Sequence, residues 1–154
     1  MSSPVIADPT ALTWYRRVVA VGIGWNLLFA YMALYAPPHI QSFLKLRPLR
    51  RTIWLRNVGM LLVLVSLFNA VSVVDPLRYP LLSWTVPAAR LIASSFFFRV
   101  AFQNPWYSSD RPASFLLLAT LDGTFGLVCA ALLKRNAPFK DVLGSYNPEP
   151  GTGR

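Results

Sequence analysis

The sequence predicts an all-α integral membrane protein: a bundle of four transmembrane helices with a short interfacial segment between the first and the second. Three observations carry that expectation. Of 154 residues, 55% are hydrophobic and only 14% charged, whereas soluble domains carry about 25% charged residues. The apolar residues gather into four stretches, each of about 21 residues, which as a helix spans the ~30 Å of bilayer hydrocarbon. The cations gather at the ends of those stretches. Nothing outside the stretches is long enough to build a core of its own, so one domain over 14–135 follows.

Residues 1–13 read as a polar, Pro-containing lead. They lack the basic start and short apolar core of a cleavable signal peptide, so the first helix is expected to act as an uncleaved signal anchor. The four helices are expected over about 14–35, 54–74, 81–101 and 113–133. Their ends carry the aromatic residues typical of membrane interfaces: Trp14 and Tyr15, Tyr31 and Tyr35, Trp54, Tyr79 and Trp84, Trp106 and Tyr107. Prolines mark the connections, except Pro87, which lies inside the third helix and is expected to bend it about one turn before Arg90.

The first connection is the longest and most basic. Ile40, Phe43, Leu44, Leu46 and Leu49 alternate there with cations, a pattern that suits a short helix on the membrane surface. Lys45, Arg47, Arg50, Arg51 and Arg56 read as lipid-headgroup contacts. The second connection, Asp75–Pro80, is a tight turn, and the third is a polar loop. The tail, 136–154, is rich in Pro, Gly and Asn and is expected to be mobile. Lys and Arg divide evenly between the two sides of the membrane. Their density in the first connection favours that connection as cytoplasmic, with both termini opposite.

Each apolar stretch contains a strongly polar residue: Asn26, Asn69, Arg90 and Asp122 in turn. A charge in mid-bilayer costs roughly 2.5 kcal/mol or more, so these side chains are expected to face one another rather than lipid. Helical spacing supports this. It groups Val19, Gly22, Asn26 and Ala30 on the first helix, and Gly59, Leu62, Ser66, Asn69 and Val73 on the second. The third gives Ser83, Pro87, Arg90 and Ser94, and the fourth Ala119, Asp122, Gly126 and Cys129. Every polar residue thus shares a stripe with small residues, the composition of membrane helix interfaces. Arg90 and Asp122 lie within about 3 Å of the same depth, and the arginine fork suits a carboxylate. Asn26 is expected at a similar depth, and Asn69 roughly one and a half turns nearer the second turn.

Two readings of this buried polar network stay open. In one, Arg90 and Asp122 neutralise each other and fix helix register. In the other, the bundle holds a small polar site for a headgroup, a quinone or another lipophilic ligand. A proton path is a third, thinly supported by a single carboxylate.

Several chemistries find no residues. Membrane haem usually takes two axial histidines, and His39 is the one histidine here, in a loop. No metal-ligand cluster, hydrolase triad or phosphate-binding glycine loop can be assembled, so no catalytic residue, metal or cofactor is expected. The net charge of +9 belongs to the membrane ends rather than to nucleic acid. Cys129 is the sole cysteine, which excludes an intrachain disulfide and leaves a small packing residue.

In length, helix count and polar residues within apolar segments, such as the LDGTFG stretch Leu121–Gly126, the chain resembles the DoxX-like group of small four-helix bacterial membrane proteins. The resemblance implies a location in the bacterial inner membrane and an association with oxidoreductase systems, with no catalytic residue to carry over. The expected function is therefore that of a non-enzymatic accessory or anchor subunit in the lipid bilayer. It would pack against other membrane subunits or further copies of itself, through outward aromatics such as Phe96, Phe97 and Phe98. The alternative is a binding or carrier protein for a lipophilic small molecule, such as a quinone or lipid, held around Arg90 and Asp122.

Overall fold

The computed structural model describes residues 8–44, 52–103 and 113–136. They form five helices: α1 (Pro9–Tyr35), α2 (Pro37–Phe43), α3 (Ile53–Val74), α4 (Pro80–Gln103) and α5 (Ala113–Asn136). All but α2 are long and apolar enough to cross a membrane. The chain is a four-span, all-α membrane bundle, and α2 is the short segment between the first two spans.

The first span begins earlier than its hydropathy suggests, at Pro9 rather than Trp14, so most of the expected polar lead that is described is helical. Local chemistry explains this. Asp8 caps the helix, its carboxylate accepting from the backbone N–H of Thr10 and Ala11, and Pro9 needs no N–H partner at the first position. The Asp8 N–H in turn donates to the Asn136 side chain, tying the start of α1 to the end of α5. Asn136, expected to open the tail, is therefore the last residue of α5; the remainder of the tail lies outside the described residues, as do Trp106 and Tyr107.

Helix α1 packs along α3 and α4 along α5; contact between α1 and α5 joins the two pairs, and α3–α4 is the loosest of the four seams between adjacent spans. Two apolar clusters fill the bundle. One, at the end of the termini, contains Tyr15, Val19, Val86, Cys129 and Leu133. The other contains Phe29, Ala33, Ile40, Leu55 and Leu118, with Phe97 against it. Helix α2 closes the second end: Ile40 is buried, Phe43 stacks edge-on against Phe29, and its carbonyl accepts from the Ser114 hydroxyl at 2.6 Å. The turn at the first end is held by the Asp75 carboxylate, which accepts from the Arg78 N–H.

Two aromatic assignments change. Tyr15, read as interfacial, is fully buried, while its neighbour Trp14 is exposed. Phe97, read as outward with Phe96 and Phe98, turns inward against Phe115. In each run of aromatics the residues are about 100° apart on the helix, so not all of them can face lipid.

Candidate functional site

The polar residues lie between the two apolar clusters. On α1 the buried face runs Tyr15, Val19, Gly22, Asn26, Ala30 and Ala33, at steps of three and four. Gly22 has no side chain, and that space admits the Arg90 guanidinium from α4. Arg90 Nη2 donates to the Gly22 carbonyl at 3.0 Å, while Nη1 donates to Asp122 Oδ1 on α5 at 2.5 Å. One side chain thus ties three helices. The contact with Asp122 is single, not the expected two-pronged fork, because the second nitrogen turns to α1. The Phe125 ring, 6.0 Å from the guanidinium carbon, adds a cation–π contact. The two charged side chains are only 12% and 14% exposed.

The α4–α5 pair is locked beside this contact. The Ser94 hydroxyl donates to the Ala119 carbonyl at 2.7 Å, and a methyl on Gly123 would sit 2.8 Å from the Ser94 oxygen. Across the bundle, Gly59 on α3 lies against Ala30, Ala33 and Leu34 of α1. The two helices run in opposite directions from that contact. Asn69, ten positions or about 15 Å beyond Gly59, is therefore level with Gly22, about ten positions back along α1. Asn69 thus lies about one turn nearer the second turn of the chain than Asn26, close to the one and a half turns expected. Asn26 follows Gly22 by one turn on the same buried face. Each asparagine is 7% exposed, and neither makes a side-chain hydrogen bond among the described residues.

Sequence reasoning missed a second polar contact. Pro87 has no N–H, so the Ser83 carbonyl, four residues earlier, loses its helical partner. The Tyr15 hydroxyl donates to that carbonyl at 3.1 Å, and the Ser83 hydroxyl donates to the Pro76 carbonyl. Helix α4 continues through the proline as one element. The freed carbonyl was legible in the sequence, but its partner on α1 was not. The Tyr15–Ser83 and Gly22–Arg90 contacts share one offset of 68 positions, so α1 and α4 run parallel and are tied twice in one register. Tyr15→Phe is expected to cost about 1 kcal/mol, the usual worth of a hydrogen bond between membrane helices. Adding Pro87→Ala, which returns an N–H to the Ser83 carbonyl, should erase most of that cost. Equal losses from Tyr15→Phe in both backgrounds, measured by unfolding in detergent, would contradict this account.

Of the expected headgroup contacts, Lys45, Arg47, Arg50 and Arg51 lie outside the described residues. Arg56 is exposed in the first turn of α3, at the membrane end. His39 is exposed on α2 and Cys129 is buried in the first apolar cluster. No three His, Cys, Asp or Glu side chains gather among the described residues. Comparison of the chain with protein-family models, with curated proteins and with solved structures gave no match.

Proposed function

We propose that this multi-pass membrane protein is a non-enzymatic accessory or anchor subunit that presents the outer face of α4 to another membrane helix. One observation carries this reading: the middle stretches of the outer faces of α3 and α4 differ in kind. Midway along its outer face α3 shows lipid the large side chains Met60, Leu61, Leu64, Leu67 and Phe68, several of which line a shallow apolar groove of their own. Midway along its own outer face α4 shows Thr85, Ala88, Ala89, Ile92 and Ser95, mostly small or hydroxylated, with the large exposed side chains Leu81, Phe96, Phe98 and Phe102 toward its ends. A shallow apolar groove beside it is lined by Trp84, Pro87, Ala88, Leu91 and Ala130. Large apolar side chains suit lipid, whereas small and hydroxylated ones let a second helix approach. The resemblance to the DoxX-like group points the same way, toward oxidoreductase-associated assemblies of the bacterial inner membrane.

Cysteine cross-linking in intact membranes tests it. In a Cys129→Ala background, Ala88→Cys and Ser95→Cys should each give one discrete adduct, and Leu64→Cys none. An adduct of twice the chain mass identifies a second copy as the partner, and any other single mass a different subunit. Equal labelling from α3 and α4 would remove the reading.

A second reading is favoured by a separate observation, the unused hydrogen-bonding capacity of the polar layer. Arg90 donates once to Asp122 and once to Gly22, although a guanidinium carries five N–H donors. Asp122 Oδ2 and both asparagine amides have no partner among the described residues. The one fully buried side-chain polar atom without a partner among the described residues is Ser72 Oγ, so these unpartnered groups keep some accessible surface. This supports a role for the layer in holding the polar end of a lipophilic ligand.

A further inference from the structure

Resting on that second reading, we infer that the polar layer takes a neutral hydroxyl headgroup, the free alcohol of a lipid, rather than an anion, a cation or a carbonyl alone. The charges decide this. Arg90 and Asp122 already neutralise each other at 2.5 Å. An incoming phosphate or carboxylate meets the Asp122 charge, and an ammonium group meets Arg90, each in a setting where an uncompensated charge is expensive.

The remaining hydrogen-bonding capacity is bifunctional. Arg90 offers N–H groups, and Asp122 Oδ2 accepts only. A hydroxyl both donates and accepts, so a single oxygen can accept from Arg90 while its proton goes to Asp122 Oδ2. A carbonyl leaves Oδ2 unmatched. Asn69, which counting from the Gly59 contact places level with the Gly22 carbonyl that Arg90 meets, is mostly buried on α3 and carries an amide that also donates and accepts. The apolar clusters occupy the bundle above and below, so the lipid chains leave sideways. The α3–α4 seam, the loosest of the four between adjacent spans, is the way out. The residual exposure of Arg90 and Asp122 shows that the pair is not sealed.

The test uses the full chain in detergent micelles with three glycerolipids of equal chain length: 1,2-dioctanoylglycerol, trioctanoylglycerol and dioctanoyl phosphatidic acid. Dioctanoylglycerol should raise the unfolding temperature in a concentration-dependent way and should be retained at one copy in native mass spectrometry. The other two should do neither. Asn69→Leu is the informative variant. It replaces an unpartnered amide with an apolar group of similar size, so the lipid-free protein should be as stable as wild type or more so. Its binding of dioctanoylglycerol should nevertheless weaken by about tenfold. Equal binding of trioctanoylglycerol, or preference for phosphatidic acid, overturns the hydroxyl assignment and leaves a ligand site standing. No retention of any of the three, or wild-type binding by Asn69→Leu, overturns the site itself.

Discussion

Removing either member of the Arg90–Asp122 pair alone should destabilise the bundle by about 3–5 kcal/mol, since a charge is left buried without its partner. The two losses should be unequal. Asp122→Asn keeps the Arg90 bond to the Gly22 carbonyl, whereas Arg90→Leu removes the ties to α1 and α5 together. Arg90→Leu is therefore expected to be the more damaging. The double variant, Arg90→Leu with Asp122→Asn, should cost clearly less than the sum of the two, because no uncompensated charge remains. Reversible unfolding in detergent gives all four corners of the cycle. Strictly additive losses would show that the pair contributes nothing as a pair. A double variant that folds like wild type assigns the pair to architecture. One that folds but loses a binding activity assigns it to the polar site.

The second large effect is expected at Gly59. A methyl there would lie 2.9 Å from Leu34 Cγ, 3.1 Å from the Ala30 carbonyl oxygen and 3.1 Å from Ala33 Cβ. The leucine can move, but the backbone oxygen cannot move without shifting α1. Gly59→Val should therefore force α1 and α3 apart and cost roughly 3 kcal/mol, at the upper end of overpacking substitutions. Because α1 also carries the Gly22 carbonyl, the same change should loosen Arg90. Gly24→Val provides the control: nothing lies within 4 Å of a methyl at that position, so stability should change by less than about 0.5 kcal/mol. Comparable losses at both glycines would mean that close helix approach at Gly59 is not what its backbone serves.

The sequence by itself determined the four spans, the inward stripes and the meeting of Arg90 with Asp122. It could do so because each depends on short-range geometry. Burial follows the helical repeat, so Val19, Gly22, Asn26 and Ala30 turn inward together, as do Gly59, Ser66 and Asn69. Leu62 and Val73, on the edge of their stripe, are only half-buried. The cost of a charge in hydrocarbon then makes Asp122 the natural partner for Arg90. Helix ends were less legible, since Asp8 and Pro9 extend α1 by capping chemistry that a hydropathy reading passes over.

Only the tertiary structure decided how the helices slide and rotate against one another. Small residues permit close contact without fixing where it occurs, and the spans differ in length, so the register between neighbouring helices is not set by counting within each. The contact at Gly59 sets that register, and the paired offsets at Tyr15–Ser83 and Gly22–Arg90 set the other. A rotation of a fraction of a turn likewise chose Tyr15 over Trp14, and Phe97 over Phe96, for the interior. The second partner of Arg90 is a backbone carbonyl, which every residue possesses and no side-chain pattern marks. It became available because α1 presents a glycine where the Arg90 side chain of α4 reaches it, a coincidence of two helices that exists only once they are packed.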